Sequence, residues 1–167
     1  MPAHLITGGA RSGKSAYAEA LALESGWPTT YIATARPGDA EMHARIARHI
    51  QRRPRAWRTV ECPVALAEAL GAECAEGRCI IIDCLTLWLA NLATAEIERE
   101  RDRLALAIEA APGIVLVVTN ELGAGVVPLG ESTRAFVDEH GIVNQRVAAI
   151  CERVTLMVCG TPLRVKP

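Results

Sequence analysis

The chain has 167 residues, 50% of them hydrophobic and 22% charged, with a formal net charge of −1. That length and apolar content suit one compact domain, 1–167, and no Pro/Ser/Gly-rich tract divides it. The near-zero charge excludes a broad electrostatic footprint for nucleic acid or an anionic membrane surface.

The first apolar run, Leu5 to Thr7, predicts a short buried strand, followed by a helix from Lys14 to about Glu24 that ends at Gly26-Trp27-Pro28. Thr29 to Thr34 is β-branched and aromatic, which predicts a second strand closed by the loop Ala35 to Asp39. From Ala40 to Arg53 there is no Gly or Pro, and Met42, Ile46 and Ile50 recur every fourth residue; this predicts an amphipathic helix stopped by Pro54. Trp57 to Glu61 reads as extended and Val64 to Cys74 as a helix. Cys79 to Asp83 is a continuous apolar run ending in a carboxylate, the pattern of a strand covered on both faces. Leu85 to Ala110 predicts one long helix, apolar first and then a solvated face of Glu/Arg pairs, with Trp88 available to the core or to an interface. Ile114 to Thr119 predicts another buried strand, with Asn120-Glu121 at its end and a glycine-rich loop from Leu122 to Gly130. Ser132 or Thr133 can cap a helix to about Glu139, Gly141 interrupts it, and Asn144 to Cys151 resumes. Val154 to Val158 predicts the last core strand and Thr161 to Lys166 an edge strand. Alternating strands and helices predict a three-layer α/β sandwich around a mainly parallel sheet, with ligands outside the carboxyl ends of the strands.

The stretch around which this pattern is organised is Gly8-Gly9-Ala10-Arg11-Ser12-Gly13-Lys14-Ser15. Gly, four residues, then Gly-Lys-Ser between a strand and a helix is the spacing of a phosphate-binding loop. The glycines turn backbone N–H groups inward, Lys14 reaches the β and γ phosphates, and the Ser15 hydroxyl can hold Mg²⁺. The following helix aims its positive end at the same anion. Lysine occurs only at positions 14 and 166, so a lysine at this spacing is not a product of composition. The expected fold is therefore P-loop NTPase-like, of the RecA-like kind. Asp83, at a predicted strand end, is a second candidate Mg²⁺ residue or, alternatively, a helix N-cap.

His49 projects at the edge of the apolar stripe of the Ala40 to Arg53 segment, beside Arg45, Arg48 and Arg52; with Arg53, Arg55 and Arg58 this makes six arginines between 45 and 58. A lone histidine on such a helix is often a packing residue. Neighbouring guanidiniums, however, disfavour a protonated imidazole and attract phosphate oxygens, which suits a neutral nitrogen nucleophile. The cysteines at 62, 74, 79, 84, 151 and 159 form no C-x-x-C pair and no metal-ligand grouping with the histidines, which predicts buried, reduced thiols. The start Met1-Pro2-Ala3-His4 lacks a basic region followed by a long apolar segment, and the expectation is a cytoplasmic protein without membrane insertion.

The residues 8–15, Tyr31-Ile32-Ala33-Thr34, Arg45-Ile46-x-x-His49, Trp57-Arg58-Thr59-x-Glu61, Asp83-Cys84-Leu85-Thr86, Thr119-Asn120-Glu121 and Asn144-Gln145-Arg146-x-Ala148 together resemble the bifunctional adenosylcobinamide kinase/adenosylcobinamide-phosphate guanylyltransferase family of cobalamin synthesis. The likeness runs over nearly the whole chain. It implies phosphorylation of adenosylcobinamide by ATP or GTP, then transfer of GMP from GTP through a GMP-histidine to adenosylcobinamide-phosphate. It also implies the catalytic residues His49 and Lys14. The nucleotide contacts it carries over are Gly8, Gly9, Ala10, Arg11, Ser12, Gly13, Lys14, Ser15, Thr34, Ala35, Arg36, Ile50, Gln51, Arg52, Arg53, Glu61 and Asp83, with Ser15 and Asp83 toward Mg²⁺ and a homo-oligomer, a trimer, as the assembly. Another P-loop kinase for small molecules would need Lys14 and Asp83 but not His49. A GTP-dependent switch would need an Asn-Lys-x-Asp motif, which lysines at 14 and 166 cannot form.

Overall fold

The computed structural model describes residues 3–36, 38, 47, 50, 51 and 53–167. Seven strands form one sheet: β1 (Ala3–Gly8), β2 (Thr29–Ala33), β3 (Arg58–Glu61), β4 (Cys79–Asp83), β5 (Ile114–Val118), β6 (Arg153–Val158) and β7 (Thr161–Lys166). Their order is β3-β2-β4-β5-β1-β6-β7, all parallel neighbours except β6 and β7, which pair as an antiparallel hairpin.

The middle of β4 (Ile80 to Ile82) and of β5 (Val115 to Val118) is apolar at every position because both faces are covered. Cys79 and Ile81 lie with Ile6, Ala18, Ala22, Tyr31, Leu116 and Val118 on the side of α1 (Lys14–Ser25). Ile80 and Ile82 lie with Leu5, Ile32, Val115 and Val117 on the other side, under α2 (Leu66–Glu73), α3 (Leu85–Asn91), α4 (Ile97–Glu109) and α5 (Glu131–Ile150). Ile80, Ile81 and Ile82 are each 0% exposed, and burying such a side chain contributes roughly 1.5–3 kcal/mol. The three-layer sandwich expected from the alternation is therefore what forms.

Three sequence expectations are corrected. The segment Leu85 to Ala110 is not one helix: Leu92 and Ala93 are extended, and a 3₁₀ turn at Thr94–Glu96 precedes α4. At about 100° per residue, the stripe Leu85/Trp88/Leu89 and the stripe Ile97/Leu104/Ala105/Ile108 would face directions more than about 100° apart on one helix. Both stripes are buried, so the chain breaks between them. Conversely, Gly141 does not interrupt α5, which runs for 20 residues from a Gly130 cap, with Ser132 and Thr133 inside it. His140, Val143 and Val147 bury one face, and that burial outweighs the cost of about 1 kcal/mol for a helical glycine. Finally, Cys62, Cys79, Cys84 and Cys151 are buried thiols, but Cys74 is half-buried and Cys159 exposed.

The predicted Ala40 to Arg53 helix falls largely outside the described residues; within it Ala47, Ile50 and Gln51 are helical. Trp88 belongs to the core, 1% exposed, with its indole N–H donating to Val64 O at 2.8 Å. The charged face of α4 carries the expected Glu/Arg pairs, among them Arg99 with Glu96 at 3.0 Å and Arg103 with Glu100 at 3.1 Å.

Candidate active site

Parallel register brings the carboxyl ends of five strands together. Ala33 pairs with Glu61 and with Asp83, Asp83 pairs with Val118, and Val118 with Ile6. The backbone continues to knit beyond the strands: Thr34 N donates to Asp83 O at 3.1 Å, and Glu121 N donates to Gly8 O at 3.0 Å.

The loop from Gly8 to Ser15 leaves β1 at this edge and enters α1 directly. Gly8 has φ +146° and Gly13, the N-cap of α1, φ +96°. A Cβ on Gly8 would meet Met157 O at 2.5 Å, so glycine is the residue that allows β1 to turn this close to β6. Gly9, Ala10 and Arg11 are exposed, and Ser12 is buried. The loop is held from below by the β6–β7 turn, where Gly160 N donates to Ser12 O at 3.1 Å. No acidic residue occupies the first turn of α1, so the positive end of the helix dipole faces the loop with no carboxylate of that turn against it. Lys14 is only 8% exposed; its ammonium donates to Gly9 O at 2.5 Å and lies 3.4 Å from Ser12 Oγ, closing the loop on itself. Ser15, one residue on, is half-buried. This arrangement can bind an anion with several oxygens.

Asp83 ends β4 two strands away. Its Oδ2 accepts a hydrogen bond from the Tyr31 hydroxyl, and Oδ1 has no hydrogen-bond partner among the described residues. Burial, reinforced by the Asp83 charge, raises the Tyr31 pKa, keeping its phenol a donor. Arg53 stacks its guanidinium 3.4 Å from the centroid of the Tyr31 ring, donates to Thr59 Oγ1 at 3.3 Å, and has a buried Nε without a hydrogen-bond partner among the described residues. Among the described residues no three His, Cys, Asp or Glu side chains form a metal cluster. The donors here, one hydroxyl and one carboxylate beside an anion loop, fit Mg²⁺, which takes one or two carboxylates together with substrate phosphates and water.

The other predicted positions divide. Thr34 is fully buried and its hydroxyl is committed, donating to Cys84 O at 2.7 Å and accepting from Cys84 N at 2.8 Å. Ala35 is half-buried, whereas Arg36, Ile50, Gln51 and Glu61 are exposed at the same edge or on the segment beyond it. Arg58, counted in the arginine cluster, pairs instead with Glu73 at 3.0 Å. His49, Arg45, Arg48 and Arg52 lie outside the described residues.

Sequence reasoning missed two features. One is Tyr31, whose signal was available: a tyrosine in a strand buried on both faces must find a partner for its hydroxyl. The other is a polar junction around buried His140. Thr86 Oγ1 accepts from Asn120 N at 3.1 Å and Asn120 Nδ2 at 3.0 Å, so its single proton goes to His140 Nε2 at 2.9 Å. Thr119 donates to Asn144 Oδ1 at 2.8 Å, and Asn144 Nδ2 donates to Asn120 O at 3.0 Å. Burial lowers the His140 pKa, in keeping with a neutral ring. Three separated motifs, 83–86, 119–121 and 144–148, thus meet in one network at the ends of β4 and β5.

The family described as cobinamide kinase / cobinamide phosphate guanyltransferase matches residues 4–165. The chain belongs to that family. Among relatives of this cobinamide kinase/guanyltransferase chain, the bifunctional adenosylcobalamin biosynthesis protein CobP of Pseudomonas aeruginosa is 52% identical over 97% of this chain and 96% of its own. The bifunctional adenosylcobalamin biosynthesis protein CobU of Salmonella typhimurium is 39% identical over 97% and 98%. Among solved structures, the flagellar accessory protein FlaH of Methanocaldococcus jannaschii superposes with a TM-score of 0.55 at 15% identity, covering 99% of this chain and 78% of that one. The RadB recombinase gives 0.50 at 14%, covering 93% and 73%. At such identities these two share the fold alone, which is the P-loop NTPase, RecA-like α/β fold. The chain is a transferase of cobalamin biosynthesis, as the resemblance implied. Among the described residues no helix is long and apolar enough to cross a membrane.

Proposed function

We propose that one domain built on this sheet carries two transfers that use the loop of residues 8–15 in turn. In the first, the γ-phosphoryl group of ATP or GTP passes to the aminopropanol hydroxyl of adenosylcobinamide. In the second, a nitrogen of His49 attacks the α-phosphorus of GTP and pyrophosphate leaves. The GMP then passes from the histidine to the phosphate of adenosylcobinamide-phosphate, giving adenosylcobinamide-GDP and restoring the imidazole.

The observation that carries the proposal is the loop framed by Gly8 and Gly13 at the start of α1, closed by Lys14 and set at the same sheet edge as Asp83. Lys14 and the helix N-terminus stabilise the γ-phosphate in one reaction and the pyrophosphate leaving group in the other. Mg²⁺, which Ser15 and Asp83 would hold, supplies charge neutralisation of the β and γ phosphates. Gly9, Ala10, Arg11 and Ser12 complete the cradle with their backbone. Ala35 and Arg36, the residues 50–53 and Glu61 contact the guanine nucleotide, while Thr34 shapes the strand end from inside. By family likeness the enzyme is a cytoplasmic homotrimer acting on adenosylcobinamide and its phosphate, with no nucleic-acid or membrane partner.

Incubation with α-labelled GTP tests this. Wild type acquires acid-labile label on the protein; His49→Ala acquires none but keeps kinase activity, and Lys14→Ala loses both activities. Full labelling of His49→Ala would sink the nucleophile assignment. Phosphorylation without any protein labelling in wild type would make the chain a P-loop kinase alone.

A further inference from the structure

Asp83 sits half-buried at the end of β4 with no ion pair to any described residue. Its position is set by a neutral donor, the Tyr31 hydroxyl on Oδ2. Tyr31 pairs through its backbone with Ile81, two residues before Asp83 on the same face of β4, and with Thr59 in β3. Its ring, 1% exposed, lies along the α1 side of the sheet, and the hydroxyl reaches one pleat repeat up the neighbouring strand. A phenylalanine would fill this volume equally well, so core packing does not account for the hydroxyl. The opposite use of the same ring is equally specific: its face carries the Arg53 guanidinium at 3.4 Å, and Arg53 stands four residues after His49 in the chain. Arg53 is fixed from two further directions, donating to Thr59 Oγ1 at 3.3 Å and, through its backbone N, to Ile50 O at 3.2 Å.

We propose that Tyr31 is a positioning residue common to both transfers: its hydroxyl holds Oδ2 of Asp83, leaving Oδ1 for the divalent cation, and its ring seats Arg53 at the end of the His49 segment. This rests on Asp83 being the cation-side carboxylate of the proposed function. A carboxylate oriented by a phenol keeps its full charge for the cation, whereas an arginine or lysine partner would offset it. The ring face in turn restrains a guanidinium that would otherwise lose rotamer freedom each time it met a phosphate. One side chain therefore ties the cation end of the site to the guanylyl-transfer segment.

The test compares Tyr31→Phe, Tyr31→Leu and Asp83→Asn with wild type. Mn²⁺ binding is measured by electron paramagnetic resonance at saturating non-hydrolysable GTP analogue, alongside analogue binding without metal. Tyr31→Phe, which keeps the stack, should bind Mn²⁺ roughly 10–100-fold more weakly, the usual loss when a ligand's orienting partner is removed. Its metal-free nucleotide affinity should be unchanged, and both activities should recover at raised metal concentration. Tyr31→Leu should recover kinase activity in the same way but not guanylylation. Wild-type Mn²⁺ affinity in Tyr31→Phe, with a loss in Asp83→Asn, overturns the role of Tyr31. Wild-type affinity in Asp83→Asn overturns the cation-side assignment itself and the proposal with it.

Discussion

Replacing Gly8 by alanine tests the loop at its tightest point. The added Cβ would lie 2.5 Å from Met157 O, 2.8 Å from Ser12 Oγ and 3.2 Å from Met157 Cβ, where ordinary contact begins at 3.4 Å. The serine can rotate away. The carbonyl cannot, because Gly8 and Met157 are register partners in β1 and β6, so the loop main chain must shift by 3.4 − 2.5, about 0.9 Å. The positive φ adds strain of about 1–3 kcal/mol, and overpacking about 1–3 kcal/mol. Together these come to roughly 2–6 kcal/mol, a large part of the total stability of about 5–15 kcal/mol typical of a folded domain. At about 2–4 °C per kcal/mol for a chain of this size, the Tm falls by roughly 4–24 °C. GTP affinity falls at least about 10-fold, since a displacement near 1 Å disrupts contacts set by the loop backbone. Calorimetry and GTP titration read both, with Gly9→Ala as the control: no atom lies within 4 Å of its added Cβ, and its stability changes by less than about 0.5 kcal/mol. A Gly8→Ala protein that melts within about 1 °C of wild type and binds GTP normally would refute the steric reasoning.

Two further outcomes follow from the rest of the fold. His4 is 6% exposed, lies 2.8 Å from Thr155 Oγ1, and is held to a pKa of about 4, against 6.5, by burial and then by Arg153 and Arg164. Between those values the unfolded chain binds the proton and the folded chain does not, so stability is full above pH 6.5 and falls as the pH drops toward 4. The loss reaches up to about 3 kcal/mol; urea titrations at neutral and acid pH should show it in wild type and not in His4→Gln, and equal pH dependence in both would count against it. Gly141→Ala should raise stability by about 0.5–1 kcal/mol, because the position is helical and its added Cβ meets no atom within 4 Å. A lower Tm for that variant would mean that α5 needs the glycine.

Much of this protein was legible in order along the chain. The glycine, lysine and serine spacing at 8–15 predicted a loop between strand and helix, and the continuous run Cys79 to Asp83 predicted a strand covered on both faces, because local backbone preference and periodicity act within a few residues. The break after Asn91 was also encoded, in two apolar stripes that one helix could not bury together, but recognising it required knowing that both stripes meet the same core. Gly141 shows the reverse. Its local cost argued for an interruption, and the burial of Val143 and Val147 across the layer decided otherwise.

The site divides along the same line. That a phosphate loop, a strand-end carboxylate and an arginine-flanked histidine occur in one chain, and the family they point to, was a matter of sequence alone, because each motif is short and its chemistry resides in its residue types. Which atoms meet was not. Tyr31 and Asp83 are 52 residues apart, and Thr86, Asn120, His140 and Asn144 come from two helices and the segment after β5. Only parallel register at the carboxyl edge of the sheet brings them within hydrogen-bond reach. Side-chain partnership of that kind depends on long-range packing, which no local pattern in the sequence expresses.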